Sequence, residues 1–235
     1  MMLCSYFDKV YCISIDGEKT RQQHIRNLFD ASELKNCLQI FNAVNGKKID
    51  IRIISNQIIT QSARNDIESL KQQHYGISLT YGSLGCALSH YLIYKECAKS
   101  TKPFLIFEDD ISIDKTQFDT QLDDIIKNTI KLRLVYDILY LGLHKLQCLK
   151  KHHVLSEFLC KPSGCMYGTF GMIVTPYGAK KILDIVFPLT YQIDGSIARN
   201  SSKLNILATI DDIVDHSHNF GSLTQREASC INLNK

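Results

Sequence analysis

Apolar and polar positions recur along this chain with two periods, and the switches between them mark its elements. Val10-Tyr11-Cys12-Ile13-Ser14-Ile15 is an apolar run beginning near Lys9 and broken by Asp16-Gly17, which predicts a strand and a turn. Thr20 and Gln23 have capping-box spacing, and Ile25, Leu28 and Phe29 follow at helical spacing, so a helix comes next. Residues 38–44 predict a second strand closed by the turn signal Asn45-Gly46. Between 47 and 80 the pattern fades into a polar stretch with one helix expected from Ala63 to Gln72, as a variable insertion or a flap over a site. From Ser83 to Ala98 two stripes return: Leu84, Ala87, Leu88, Tyr91 and Leu92, and Cys86, His90, Ile93 and Cys97. Two stripes predict a helix buried on most sides.

Pro103 then introduces Phe104-Leu105-Ile106-Phe107, an unbroken apolar run of the kind found in a buried parallel strand. Phe118, Leu122, Ile125 and Ile126 mark an amphipathic helix, and residues 137–142 another strand. Residues 144–166 lack a clear period and read as loop or small edge strands. Phe170 to Val174 is a short strand, with Thr175-Pro176 as cap and first helical residue and Ala179, Ile182, Leu183 and Val186 facing the core until Pro188 ends the helix. A last strand, Leu204 to Ile210, precedes a tail of acids and histidines from Asp211 to His218. Strands alternating with helices predict an α/β fold on a mostly parallel twisted sheet. No internal repeat, low-complexity tract or linker divides the chain, so residues 1–235 read as a single domain.

Composition narrows the class. The chain has 235 residues and 45% hydrophobic content, enough to bury a core and to exclude a disordered chain. Its 27 basic and 24 acidic residues are interspersed, and without a basic block no nucleic-acid partner is expected. The first strand leaves no room for a leader, and no run of about 18 apolar residues occurs. The expected location is cytoplasmic, with at most peripheral membrane contact. Nine cysteines, at 4, 12, 37, 86, 97, 148, 160, 165 and 230, show no paired rhythm. They read as reduced thiols, with no structural disulfide and no zinc motif.

The most informative chemistry is Glu108-Asp109-Asp110, set directly after the apolar strand. Open α/β sheets bind ligands at the carboxyl ends of their strands. Crowded carboxylates raise each other's pKa unless a divalent cation compensates, and oxygen ligands suit Mn²⁺ or Mg²⁺. The competing reading is a solvated acidic turn. Phosphoryl transfer by an aspartate nucleophile also places acids after a strand, but Asp110-Ile-Ser-Ile lacks the hydroxyl residue it needs at fixed spacing.

Five stretches together resemble glycosyltransferase family 25, the group of lipooligosaccharide and collagen galactosyltransferases. They are Val10 to Arg21, Phe41-Asn-Ala-Val-Asn-Gly46, Gly85-Cys-Ala-Leu-Ser-His90, Leu105-Ile-Phe-Glu-Asp-Asp110, and Gly168-Thr-Phe-Gly-Met-Ile-Val-Thr-Pro-Tyr-Gly-Ala-Lys-Lys181. The resemblance spans roughly residues 9–228. It implies a GT-A-like nucleotide-binding sandwich, with a nucleotide-binding half at about 9–114 and an acceptor-side half at about 115–228. It further implies an inverting transfer of galactose or glucose from a UDP-sugar to a saccharide or hydroxylated-protein acceptor. Two positions depart from the family pattern: Ser83 stands where a Glu is usual, and Asp211-Asp212 where a proline is common. A catalytically inactive member that binds or scaffolds is the second class consistent with the same residues.

The resemblance also assigns roles. Asp110 is the expected ligand of Mn²⁺ or Mg²⁺, Glu108 reaches the ribose or the metal's water shell, and His216 joins from the tail. Asp194, in Tyr191-Gln-Ile-Asp194-Gly195, is the expected base, with Asp109 as the other catalytic candidate. Alternation along an extended strand directs Asp109 away from its two neighbours. Ser14, Asp16 and Arg21 are expected at the nucleotide, with Arg21 able to pair with phosphate or else to face solvent from the first helical turn, and Ser89 and His90 near the donor sugar. For Asp194 a turn aspartate beside glycine, and for His90 a buried structural histidine, are the alternatives.

Overall fold

The computed structural model describes residues 2–69, 78–144, 153–162, 166–217, 219–221 and 223. The expected end of a helix near Gln72, much of the 144–166 stretch, Cys148, Cys165, Cys230 and His218 lie outside the described residues. Strand β1 (Lys9–Ile15) leads into helix α1 (Lys19–Leu28) and strand β2 (Leu38–Ala43). Helices α2 (Gln61–Ser69) and α3 (Tyr81–Cys97) precede β3 (Phe104–Glu108) and the two-residue β4 (Ile111–Ser112). Helix α4 (Phe118–Lys131), β5 (Ile138–Tyr140), β6 (His153–Val154), β7 (Leu159–Lys161) and β8 (Gly171–Val174) follow. The described chain closes with α5 (Pro176–Ile185), α6 (Ile193–Arg199), β9 (Ile206–Thr209) and β10 (Asp215–His216).

One eight-stranded sheet runs in the order β2-β1-β3-β8-β5-β9-β7-β6 through both the early and late parts of the chain. β1 is parallel to β2 and β3, and β5 to β9, whereas β8 enters antiparallel between β3 and β5. The sheet is therefore mixed, as a GT-A-like α/β fold allows. The reversal has a consequence for the site: the start of β8 lies at the same edge as the ends of β1, β2, β3 and β5.

Side-chain alternation divides the core into two layers. Tyr11, Ile13, Phe104, Ile106, Tyr140 and Met172 face a cluster shared with α2, α3, α5 and α6. Val10, Cys12, Leu105, Phe107, Leu139 and Ile173 face the opposite cluster with α1 and α4. Because β3 is covered on both faces, all four residues from Phe104 to Phe107 are fully buried, which is why its sequence shows no polar alternation.

Several expectations need correction. Thr20 lies inside α1, whose N-cap is Glu18 without a side-chain cap, because the turn at Gly17 (φ 90°) starts the helix earlier. Leu92 is 46% exposed, so the first stripe of α3 stops at Tyr91, which packs on Phe187. The 47–80 stretch is more than a polar insertion: Ile51, Ile59, Ala63, Ile67 and Leu79 enter the core, and bridges join Ile59 to Leu189 and Ser78 to Tyr191. Cys4 and Cys37 form a disulfide, against the expectation of thiols only. Tertiary packing of the short turns Leu3–Tyr6 and Glu33–Asn36 brings together two cysteines whose spacing carries no signal. Among the described residues, no helix is long and apolar enough to cross a membrane.

Candidate functional site

A cavity of about 470 Å³ opens at the edge where β1, β2 and β3 end and β8 begins. Its lining includes Ser14, Arg21, Ser83, Cys86, Glu108, Asp109, Asp110, His144, Thr169, Asp194 and His216. Most lie at strand ends or in the loops beyond them, the positions at which an open α/β sheet gathers ligand-binding groups.

Helix α3 forms one wall. Thr80 caps it: its hydroxyl accepts from the Ser83 backbone N–H, and the Ser83 hydroxyl accepts from the Thr80 N–H at 2.7 Å. This is a capping box with Ser83 in the place a Glu or Gln usually fills, so the departure at Ser83 preserves the helix start. Gly85 and Gly46 then allow backbone to touch backbone. A Cβ on Gly85 would sit 2.4 Å from the Val44 carbonyl oxygen, and one on Gly46 would sit 1.6 Å from that of Tyr81. Ser89 secures the contact, accepting from the Val44 N–H at 2.8 Å and donating to the Gly85 carbonyl. Ser89 is thus a clamp between α3 and the end of β2. It does not line the cavity, contrary to its expected place near the donor.

The three acids diverge. Glu108, the last residue of β3, faces α3 and the start of β8: its Oε1 accepts from Thr169 Oγ1 at 2.6 Å, and His90 Nε2 lies 3.3 Å from the same oxygen. Asp109 turns to the opposite side, where its carboxylate accepts from Ser14 and Arg21, both at 2.6 Å. Asp110 does not return to the side of Glu108, because the chain leaves the sheet in a turn. Its Oδ2 lies 3.2 Å from Arg21 Nη1 and 3.4 Å from His216 Nε2. One guanidinium therefore holds both aspartates, and it is itself covered by the Phe220 ring and hydrogen-bonded to the Gly221 carbonyl.

Burial pushes Asp109 above the ordinary carboxylate range, against the bonds from Ser14 and Arg21. For Asp110 burial acts upward too, but the His216 hydrogen bond and the Arg21 charge outweigh it and hold the carboxyl low. The same bond raises His216. Asp109, expected as a catalytic group, has both oxygens occupied and fixes the loop after β1. Arg21, 3% exposed, is spent on the acids rather than left open to a phosphate. Asp16, in the turn beside Gly17, is exposed and outside the cavity lining. His90 is fully buried and touches the site through Glu108.

Asp194 lies in the first turn of α6 and lines the same cavity. Its carboxylate accepts from the backbone N–H of Gly195 at 2.6 Å and of Gly168 at 3.2 Å. Burial raises its pKa, the two N–H bonds oppose that, and Glu108 adds to the rise.

Asp110 and His216 converge, a carboxylate and an imidazole of the kind that hard divalent cations accept, while Glu108 shares their cavity but faces α3 and the start of β8. Cys86, His90 and Glu108 also bring ligand atoms within 4.8 Å of one another. There burial, reinforced by Glu108, pushes the Cys86 thiol well up, so this group reads as hydrogen-bonded support for the carboxylate.

Thr169 and His144 are among the lining residues that escaped the sequence reading. Thr169 lay inside a quoted motif without a role. His144 carried only the signal of following a strand end, and its ring packs 5.1 Å from Phe170 and 5.9 Å from His216. The second departure from the family pattern also has an explanation, since Asp212 Oδ1 accepts from the Leu143 N–H and steadies this loop.

A family model described as "Glycosyltransferase family 25 (LPS biosynthesis protein)" matches residues 7–197. Relatives include "Inactive glycosyltransferase 25 family member 3" of Mus musculus, 28% identical over 180 residues, covering 75% of this chain and 29% of that protein. "Procollagen galactosyltransferase 1-A" of Xenopus laevis is 27% identical over 188 residues (76% and 28%), and "Procollagen galactosyltransferase 2" of Homo sapiens 24% over 182 (75% and 27%). The chain spans less than a third of the length of these relatives.

Proposed function

The chain belongs to glycosyltransferase family 25, and from that premise we propose that it moves a hexose, galactose or glucose, from a UDP-sugar to a saccharide or hydroxylated-protein acceptor, with inversion at the anomeric carbon. The observation that carries the reading is one cavity lined by Glu108, Asp110, His216 and Asp194 together. Asp110 and His216 would hold Mn²⁺ or Mg²⁺, which, when bound, supplies the positive charge that stabilises a departing diphosphate. Glu108, an acceptor of hydroxyl hydrogens, suits the ribose or sugar of the donor. Asp194, ionised, takes the proton of the acceptor hydroxyl as that oxygen attacks, and the N–H groups of Gly168 and Gly195 keep its carboxylate in place. The low-polarity setting that raises its pKa makes it a stronger base than an exposed aspartate. The cytoplasmic setting expected from the sequence is kept as a proposal against the Cys4–Cys37 disulfide, which suits an oxidising compartment, and a localisation experiment decides between them.

One observation favours a second reading, a binding or scaffolding protein without turnover. Arg21 already places a cation 3.2 Å from Asp110 Oδ2, and some relatives are named inactive. A screen of UDP-sugars with and without Mn²⁺, scored for both binding and hydrolysis or transfer, separates the two. Mn²⁺-dependent release of UDP supports the enzyme, binding without release supports the scaffold, and the absence of both removes each.

A further inference from the structure

We propose that Thr169, with His90 behind it, positions Glu108 and so sets how tightly the sugar-nucleotide donor is held; this rests on the glycosyltransfer reading above. Glu108 ends β3 with a side chain whose three rotatable bonds would otherwise leave its carboxylate loose over the cavity. Its hydrogen bonds converge on one oxygen. Oε1 receives the Thr169 hydroxyl at 2.6 Å, faces His90 Nε2 at 3.3 Å, and has the Cys86 sulfur at 4.0 Å. The grip comes from two separate elements, the loop entering β8 and the middle of α3. Neither is a solvent-facing contact, since Thr169 is 5% exposed and His90 fully buried.

The histidine orientation follows from what surrounds it. Among the described residues, Nδ1 of His90 is buried with no hydrogen-bond partner. A proton there would be an unpaired buried donor, which costs more than a bare lone pair, so the proton belongs on Nε2, pointing at Glu108. With Oε1 saturated by protein donors and no donor to Oε2 among the described residues, Oε2 is left for the cavity that Glu108 lines. An ionised carboxylate oxygen accepts only, and the groups it recognises are hydroxyls such as those of a ribose or hexose. Hydrogen bonds to an ionised group are strong and directional, so the Thr169 contact is suited to fixing a rotamer before the donor arrives. Such preorganisation acts on binding of the ground state more than on the chemical step.

The experiment compares Thr169→Val, which keeps the shape and removes the hydroxyl, with Thr169→Ser, which keeps the hydroxyl, using UDP-galactose and UDP-glucose as donors. For Thr169→Val, donor KM is expected to rise about 10-fold while kcat stays within about 3-fold, as for loss of a hydrogen bond to a charged group that is uniform between ground and transition states. Thr169→Ser should restore the wild-type KM. An unchanged KM in the valine variant, or a serine variant as impaired as the valine one, overturns the proposal, because the methyl packing would then be what matters. A crystal structure of Thr169→Val gives a readout independent of turnover: Glu108 displaced from its wild-type rotamer supports positioning, and Glu108 unmoved refutes it. Should the wild-type chain neither transfer nor hydrolyse any UDP-sugar, the glycosyltransfer reading fails, while the crystallographic arm still decides the role of Thr169.

Discussion

His216 Nε2 stands 3.4 Å from Asp110 Oδ2, and a two-residue antiparallel ladder is what holds the pair together. β10 pairs with β4 so that Asp215 faces Ser112 and His216 faces Ile111, and the Ser217 N–H donates to the Asp110 carbonyl at 2.6 Å. The tail is thereby returned to the acids by backbone bonds, and its histidine needs no sequence proximity to reach them.

If this pair forms the cation site, removing the imidazole should weaken the cation before anything else. His216→Ala is expected to raise the Mn²⁺ concentration for half-maximal UDP release by at least the roughly 10-fold typical when even an outer partner of a metal ligand is lost. Asp110→Asn should abolish the Mn²⁺ response. A Mn²⁺ titration of both variants checks this, and an unaltered midpoint for His216→Ala would take the histidine out of the site.

Asp194 makes a prediction with a definite sign. Burial places its folded-state pKa above the unfolded value, so the folded chain holds this proton more tightly than the unfolded chain does. Ionising it costs stability. The cost is absent below the unfolded pKa, grows as pH rises, and is complete above the folded pKa. Activity runs the other way: a base must be ionised, so kcat should fall as pH drops through a midpoint above the usual 3.9 or so of aspartate. Asp194→Asn should lower kcat by about 100-fold or more, leave UDP binding within about 2-fold, and flatten the pH dependence of the melting temperature. Turnover at the wild-type level would remove Asp194 as the base.

Arg21 is the counter-charge for two buried acids, with 3% of its side chain exposed against 8% for Asp109 and 11% for Asp110. Arg21→Ala leaves those carboxylates without it and is expected to cost roughly 3–5 kcal/mol in urea denaturation. The double variant Arg21→Ala with Asp109→Asn should recover part of the loss. Additive losses in that cycle would mean that the pair is not coupled.

At the contact between α3 and the end of β2, shape decides. Gly85→Ala would push a methyl to 2.4 Å from the Val44 carbonyl oxygen, a backbone atom that cannot swing aside. About 1–3 kcal/mol of stability should be lost, as for other overpacked interiors, with donor binding impaired because Ser83 and Cys86 move with the helix. Thr80→Ala, which removes the cap, should cost about 1 kcal/mol by the same denaturation measurement.

Local pattern carried much of the fold. β1, β2, β3, α3, α4, β8 and α5 all fall within a few residues of the runs that predict them, since a strand covered on both faces or an amphipathic helix writes its environment into its own period. The 47–80 stretch was less legible because its core residues are scattered among short turns rather than set on one face. In the site, the strand-end position of Glu108, Asp109 and Asp110 could be read directly. Which acid meets which partner could not, because the turn at Asp109-Asp110 ends the alternation that would have assigned sides.

By itself, the sequence determined the alternation of strands and helices, the family, and the acids at the carboxyl end of a buried strand, for these depend on neighbours within a turn or two of the chain. Only the tertiary structure decided that one arginine serves two aspartates, that a tail histidine returns to Asp110, that Thr169 and His90 grip Glu108, and that Cys4 meets Cys37. Each of those contacts joins segments far apart in the chain, and their meeting is set by sheet order and packing, which no local period encodes.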